Sequence, residues 1–99
     1  MNYEFKTKLW EYTGKGSWHF VTLPVDQALE IREITSGNTN GFGSVRVNVE
    51  VGSSTWKTSI FPDTKNDSYV LPIKKTVRTA ENISDGSTLT VSISLIDQV

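Results

Sequence analysis

Hydrophobic and polar residues alternate with a period of two through most of this chain. Tyr3, Phe5, Thr7 and Leu9 fall on one side of the first stretch, and Glu4, Lys6, Lys8 and Trp10 on the other. That alternation predicts a half-buried strand over Tyr3–Tyr12. Thr13–Ser17 contains two glycines and predicts a turn. Trp18–Leu23 predicts a second strand, paired with the first as a hairpin and ended by Pro24. The plainest strand is Ser44–Val51, where Val45, Val47, Val49 and Val51 alternate with Ser44, Arg46, Asn48 and Glu50. Thr55–Phe61, Tyr69–Ile73 and Thr88–Ile96 predict three more. They are separated by the turn Gly52–Ser54, the polar loop Pro62–Ser68 and the turn Ser84–Ser87.

Two stretches leave this period. Val25–Thr35 places Val25, Ala28, Leu29, Ile31 and Ile34 on one broad apolar face of a helix. Asp26 stands near its start, where the helix dipole favours negative charge. Lys74–Asn82 predicts a shorter helix with Ile73, Val77 and Ala80 turned inward. Ser36–Gly43 is a loop rich in turn formers. The count is about six strands and two short helices. One polar face per strand argues for a largely antiparallel sheet, closed or nearly closed.

Two segments share one grammar. Phe20–Pro24 ends in Leu-Pro and leads into a helix, a glycine-containing loop and the valine-rich strand. Tyr69–Pro72 ends in Leu-Pro and leads into a helix, Asp85-Gly86 and the last alternating strand. If the echo is a duplication, each half contributes a strand–helix–strand unit to a pseudo-twofold barrel.

Ninety-nine residues suit one domain over 1–99, with enough chain for a single core. The composition, 36% hydrophobic and 21% charged, is not that of a disordered chain. A formal net charge of −1 weighs against a sequence-independent nucleic-acid binder, whose affinity comes from neutralising phosphates. Nucleic acid is therefore a disfavoured partner, although a local basic patch is compatible with that balance. The absence of cysteine removes disulfides, thiolate metal sites and cysteine nucleophiles, and fits a reducing cytoplasm. Met1–Lys6 lacks the apolar core of a signal peptide, and no apolar run reaches membrane-spanning length. A cytoplasmic protein without membrane contact is expected.

Leu71–Arg78 together with Ile83–Leu89 resembles the swapped-hairpin element of the AbrB and MazE family of transition regulators and antitoxins. Those proteins form double-split β-barrels by dimerising, and many bind DNA. A second resemblance covers nearly the whole chain. It is carried in order by Phe5 to Leu9, Trp18–Pro24, Val45–Val51, Trp56–Pro62, Tyr69–Lys75 with Val77-Arg78, and Asp85-Gly86. This set is similar to a small bacterial domain-of-unknown-function family. Some of its members precede a YdeI/OmpD-associated (bacteriocin-protection) segment. The resemblance implies a mostly-β, double-split, pseudo-twofold barrel of the AbrB-related type. It implies no activity and carries over no catalytic residues.

Few residues point to chemistry. His19 is the one histidine and has no partners at metal-ligand spacing, so a structural or surface role is expected. Asp63, Asp67 and Asp85 read as turn residues, without the dense ligand pattern of a calcium loop. Neither a nucleophile elbow nor a phosphate loop nor a dinucleotide fingerprint is present. No cofactor or metal is expected. The suggestive cluster is Lys74, Lys75 and Arg78. Like charges near a helix start repel one another and oppose the dipole, and a bound anion relieves both effects. Trp56 and Tyr69 are expected beside them to stack a ring or base. The alternative is a solvated basic face, with Arg78 offset by Glu81. Three tryptophans suit either a groove or a core, and Trp10, set among polar residues, is the one expected at the surface.

The expected function is a non-enzymatic binding or accessory domain. It takes a small anion or a protein partner, with Lys74, Lys75, Arg78, Trp56 and Tyr69 as its site, and exists as a monomer or weak dimer. The alternative is a DNA-associated regulator of AbrB-like type.

Overall fold

Tyr3, Phe5 and Leu9 do point inward, but the strand that carries them is bent. In the computed structural model, which describes residues 1–14, 18–37 and 43–96, the first run of extended chain is divided at Leu9. It gives β1 (Asn2–Lys8) and β2 (Trp10–Tyr12). After them come β3 (Trp18–Thr22), α1 (Val25–Thr35), β4 (Val45–Val51), β5 (Ser54–Asp63), β6 (Ser68–Pro72), α2 (Lys75–Ala80) and β7 (Thr88–Leu95). The six expected strands are thus all present, and the break at Leu9 makes them seven among the described residues. Residues 15–17 of the expected first turn and 38–42 of the expected long loop lie outside the described residues.

The strands form one antiparallel sheet in the order β1-β7-β4-β5-β6-β3-β2. Its two outermost strands, β1 and β2, are consecutive in the chain, so the sheet curls back toward itself as a half-barrel. Leu9 forms the corner. It is 1% exposed, its N–H donates to the Ser87 carbonyl at 2.9 Å, and its carbonyl accepts from Gly86 at 2.8 Å. β5 makes a matching corner. It pairs with β4 from Ser54 to Ile60, then leaves it and pairs with β6 from Phe61 to Asp63.

The echo in the sequence becomes a pairing in space. β3 lies antiparallel to β6, and Thr22 meets Val70, the residues just before Leu-Pro in each unit. β4 lies antiparallel to β7, with Val49 opposite Ile93. The two bent strands behave alike: β1 pairs with β7 as β5 pairs with β4, and β2 pairs with β3 as the end of β5 pairs with β6.

Each bend opens a gap where a strand parts from its neighbour, and a helix lies beside each gap. α1 reaches β1 through two contacts: the Tyr3 hydroxyl donates to Glu30 Oε1 at 3.0 Å, and Gln27 Nε2 donates to the Glu4 carbonyl at 3.3 Å. α2 is held near β5, where the Ser54 hydroxyl donates to Glu81 Oε2 at 2.7 Å just beyond the helix end. The core is the inner surface of the curl, with Val47, Val91, Ile60 and Leu71 at 0% exposure.

Both helices bury less than their sequences suggest. α1 buries Ala28, Ile31 and Thr35, while Val25 and Leu29 are 56% and 45% exposed. The expected apolar face is too broad, because the sheet edge accepts only one narrow row of side chains. α2 is a six-residue helix that buries only Val77, and Ala80 is exposed rather than inward. The chain leaves the helix at Asn82, in the left-handed region at φ 55°. No helix among the described residues is long and apolar enough to cross a membrane.

Candidate functional site

β6 stops at Pro72 because proline has no N–H to continue the ladder. Ile73 turns inward at 1% exposure and donates its N–H to the His19 carbonyl at 2.9 Å. That bond fixes the start of β3 against the segment leading into α2. Lys74 is the extended residue that opens α2, and both Val77 and Arg78 donate their N–H groups to its carbonyl at 3.1 Å. Lys74 and Lys75 are thereby held at the mouth of the gap left by β5, with their side chains exposed.

The gap is a groove of about 390 Å³. β5 supplies Trp56, Lys57 and Thr58, β3 supplies Trp18 and His19, and the β6–α2 segment supplies Lys74, Lys75 and Arg78. Among the described residues, Lys57, Lys74, Lys75 and Arg78 line it and no acidic residue does. No carboxylate among the described residues pairs with Lys57, Lys74 or Lys75. Arg78 is half-buried and donates from Nε to the Ile73 carbonyl at 3.1 Å. Trp56 packs its ring against the core and gives the groove an apolar wall. His19 Nδ1 is buried without a hydrogen-bond partner among the described residues, a costly state for a polar nitrogen.

A model of a domain of unknown function, DUF1905, matches residues 5–93. The chain belongs to that family. No curated protein matches it. The DUF1905 match spans every residue that lines the groove.

Of the five residues expected at the site, the fold brings Lys74, Lys75, Arg78 and Trp56 together. Tyr69 is not among them. Two positions before Leu71 on the same strand, it points into the core at 4% exposure and borders a separate hollow beside α1. The physical setting of the cluster also differs from the expected helix start. Arg78 lies in the last turn of α2, where a cation suits the dipole, and Glu81 accepts from Ser54 instead of offsetting Arg78. A helix of six residues brings little dipole of its own, so the lysines and the arginine carry the field. Trp18, His19 and Lys57 join the site without having been singled out together. The hairpin alternation carries a signal for Trp18 and His19 at the start of β3, but nothing in the sequence marks Lys57, which lies on β5 before its pairing with β6 begins.

A larger hollow, about 710 Å³, lies over the outer face of β1, β7, β4 and β5. It mixes Glu4 and Glu50 with Lys57, so its charge selects no one sign of ligand. Among the described residues no group of histidine and acidic side chains is arranged to hold a metal ion.

Proposed function

We propose that this DUF1905 domain is a non-enzymatic binding module for an anionic ligand, seated in the groove between β5, β3 and the β6–α2 segment. One observation carries the reading: among the described residues four cationic ones and no acidic one line the groove, in a protein whose net charge is −1. Uncompensated like charges repel at short range, and an anion in the groove removes that repulsion. Trp18 and Trp56 add aromatic surface for a ligand with a ring or an apolar part.

The curled sheet is read, with this proposal, as a double-split barrel of the AbrB-related type. The matched pairing of its two halves supports that reading. The lack of cysteine supports a place in the cytoplasm. Regulation of duplex DNA is the weaker reading, because fold analogy alone stands behind it.

The test is a thermal-shift titration with inorganic tripolyphosphate. A ligand at a hundredfold excess over Kd stabilises by about 2.7 kcal/mol, which raises Tm by roughly 10–20 °C in a domain this small. The Lys74→Ala/Lys75→Ala double variant should lose most of that rise. No rise in the wild-type protein, or an equal rise in the double variant, sinks the proposal.

A further inference from the structure

The outer face of β2, β3, β6 and β5 is aromatic where a sheet facing water is normally polar. Trp10, Tyr12, Trp18 and Phe61 are 36%, 50%, 55% and 43% exposed. Register sets them side by side. Tyr12 is opposite Trp18, Trp10 is opposite Phe20, Phe20 is opposite Pro72, and Phe61 is opposite Val70. Trp18 lies nearly parallel to Phe20, with centroids 6.0 Å apart and planes at 12°. Tyr12, Trp18, Phe20, Phe61, Val70 and Pro72 line a shallow hollow of about 380 Å³. The outer face of β1, β7 and β4 shows the contrast, with Glu4, Ser92 and Glu50 side by side.

Exposed apolar surface of this kind marks a binding face, and the charge beside it says for what. Trp18 and Pro72 line both the aromatic hollow and the basic groove. The platform therefore runs directly into Lys57, Lys74 and Lys75. An apolar protein surface would use the rings and leave the lysines facing apolar groups. A duplex would meet the lysines and hide its base faces. A partner with flat rings and a negative charge on each unit uses both. We propose that this face binds single-stranded nucleic acid, with bases stacked on Trp18 and Tyr12 and phosphates held by Lys57, Lys74 and Lys75. The inference rests on the anionic reading of the groove and names its ligand class. Four-stranded sheets with aromatic outer faces stack two or three bases in this way.

The experiment is fluorescence anisotropy with labelled oligo(dT) and oligo(U) of about ten nucleotides. It is run beside the tripolyphosphate thermal shift and a sedimentation measurement of the protein alone. Binding of either oligomer should weaken with salt at a log–log slope of about 2, from three phosphate contacts on a single strand. The two oligomers separate DNA from RNA. Trp18→Leu and Tyr12→Leu should each weaken binding about 5- to 140-fold, with the slope and the unfolding midpoint unchanged. Lys74→Ala/Lys75→Ala should lower the slope by about 1.4. Oligomers that bind no more tightly than tripolyphosphate, or that ignore Trp18→Leu, overturn the inference and leave the anion groove standing. A protein stabilised by neither ligand overturns both. A concentration-dependent dimer that Trp18→Leu dissociates assigns the face to a second copy and also overturns it.

Discussion

Arg78→Ala separates holding the groove from meeting its ligand. The guanidinium Nε donates to the Ile73 carbonyl at 3.1 Å, five residues back in the chain. Ile73 is itself fixed, buried to 1% exposure and bonded through its N–H to His19. Arg78 thus closes the turn on which Lys74 and Lys75 stand. A hydrogen bond from a charged donor contributes about 1.5–3 kcal/mol. Because Arg78 is half-buried, the lower end applies, about 1.5 kcal/mol, which lowers Tm by roughly 6–12 °C in a domain of this size. Lys75 is exposed and makes no side-chain hydrogen bond among the described residues. Lys75→Ala should therefore change stability by less than about 0.5 kcal/mol. Urea and thermal unfolding without any added anion measure both variants. A wild-type midpoint in Arg78→Ala would refute the reasoning, because the turn would then be held by the β3–β6 pairing alone.

Leu9→Ala should cost about 3 kcal/mol in urea unfolding, since it empties the corner of the curled sheet of three buried carbons and leaves a cavity; a cost under about 1 kcal/mol would mean that the corner collapses freely. Gly52 stands at φ 58° with the Glu81 carboxylate where a Cβ would lie. Gly52→Ala should cost about 1–2 kcal/mol from the left-handed backbone alone, and adding Glu81→Ala should not restore that part of the loss. Burial, and then the hydrogen bond to Glu30 and its charge, push the Tyr3 phenol up from 10.0 to about 12. Between those values the unfolded chain has released a proton that the folded one keeps, so stability falls as pH rises through that window. Tyr3→Phe should flatten the fall, read as the unfolding midpoint against pH; an unchanged slope assigns the fall to other groups.

The alternating strands were legible because burial on one face of a sheet writes itself into every second residue. Val45 to Val51 and Leu89 to Ile93 needed only that rule. The break at Leu9 was not legible, since a bend inside an unbroken alternation leaves the inward and outward sets unchanged. It is specified instead by bonds to Ser87 and Gly86, nearly eighty residues away. The helix faces were overread for a related reason. Val25 and Leu29 fit a helical period, but only the partner surface decides how wide a stripe is covered, and here it is narrow.

The charge balance hid the site more than it revealed it. Counted from the shared Leu-Pro, the first half carries Asp26, Gln27 and Glu30 at the second, third and sixth positions after Pro24. The second half carries Lys74, Lys75 and Arg78 at the same positions after Pro72. Two negative charges against three positive ones nearly cancel, and a chain total of −1 hides the basic cluster. In the fold they stand beside different gaps. Gln27 and Glu30 are consumed by β1, through the Glu4 carbonyl and the Tyr3 hydroxyl. Lys74 and Lys75 have no such partner on β5 and face Trp18, Trp56 and Lys57 across an open groove. The two halves share their strand pairing and part company where the helices begin. The negative charge of a ligand should therefore dock at the start of the second half's helix, where its pattern departs from the first, with Trp18 of the first half beside it.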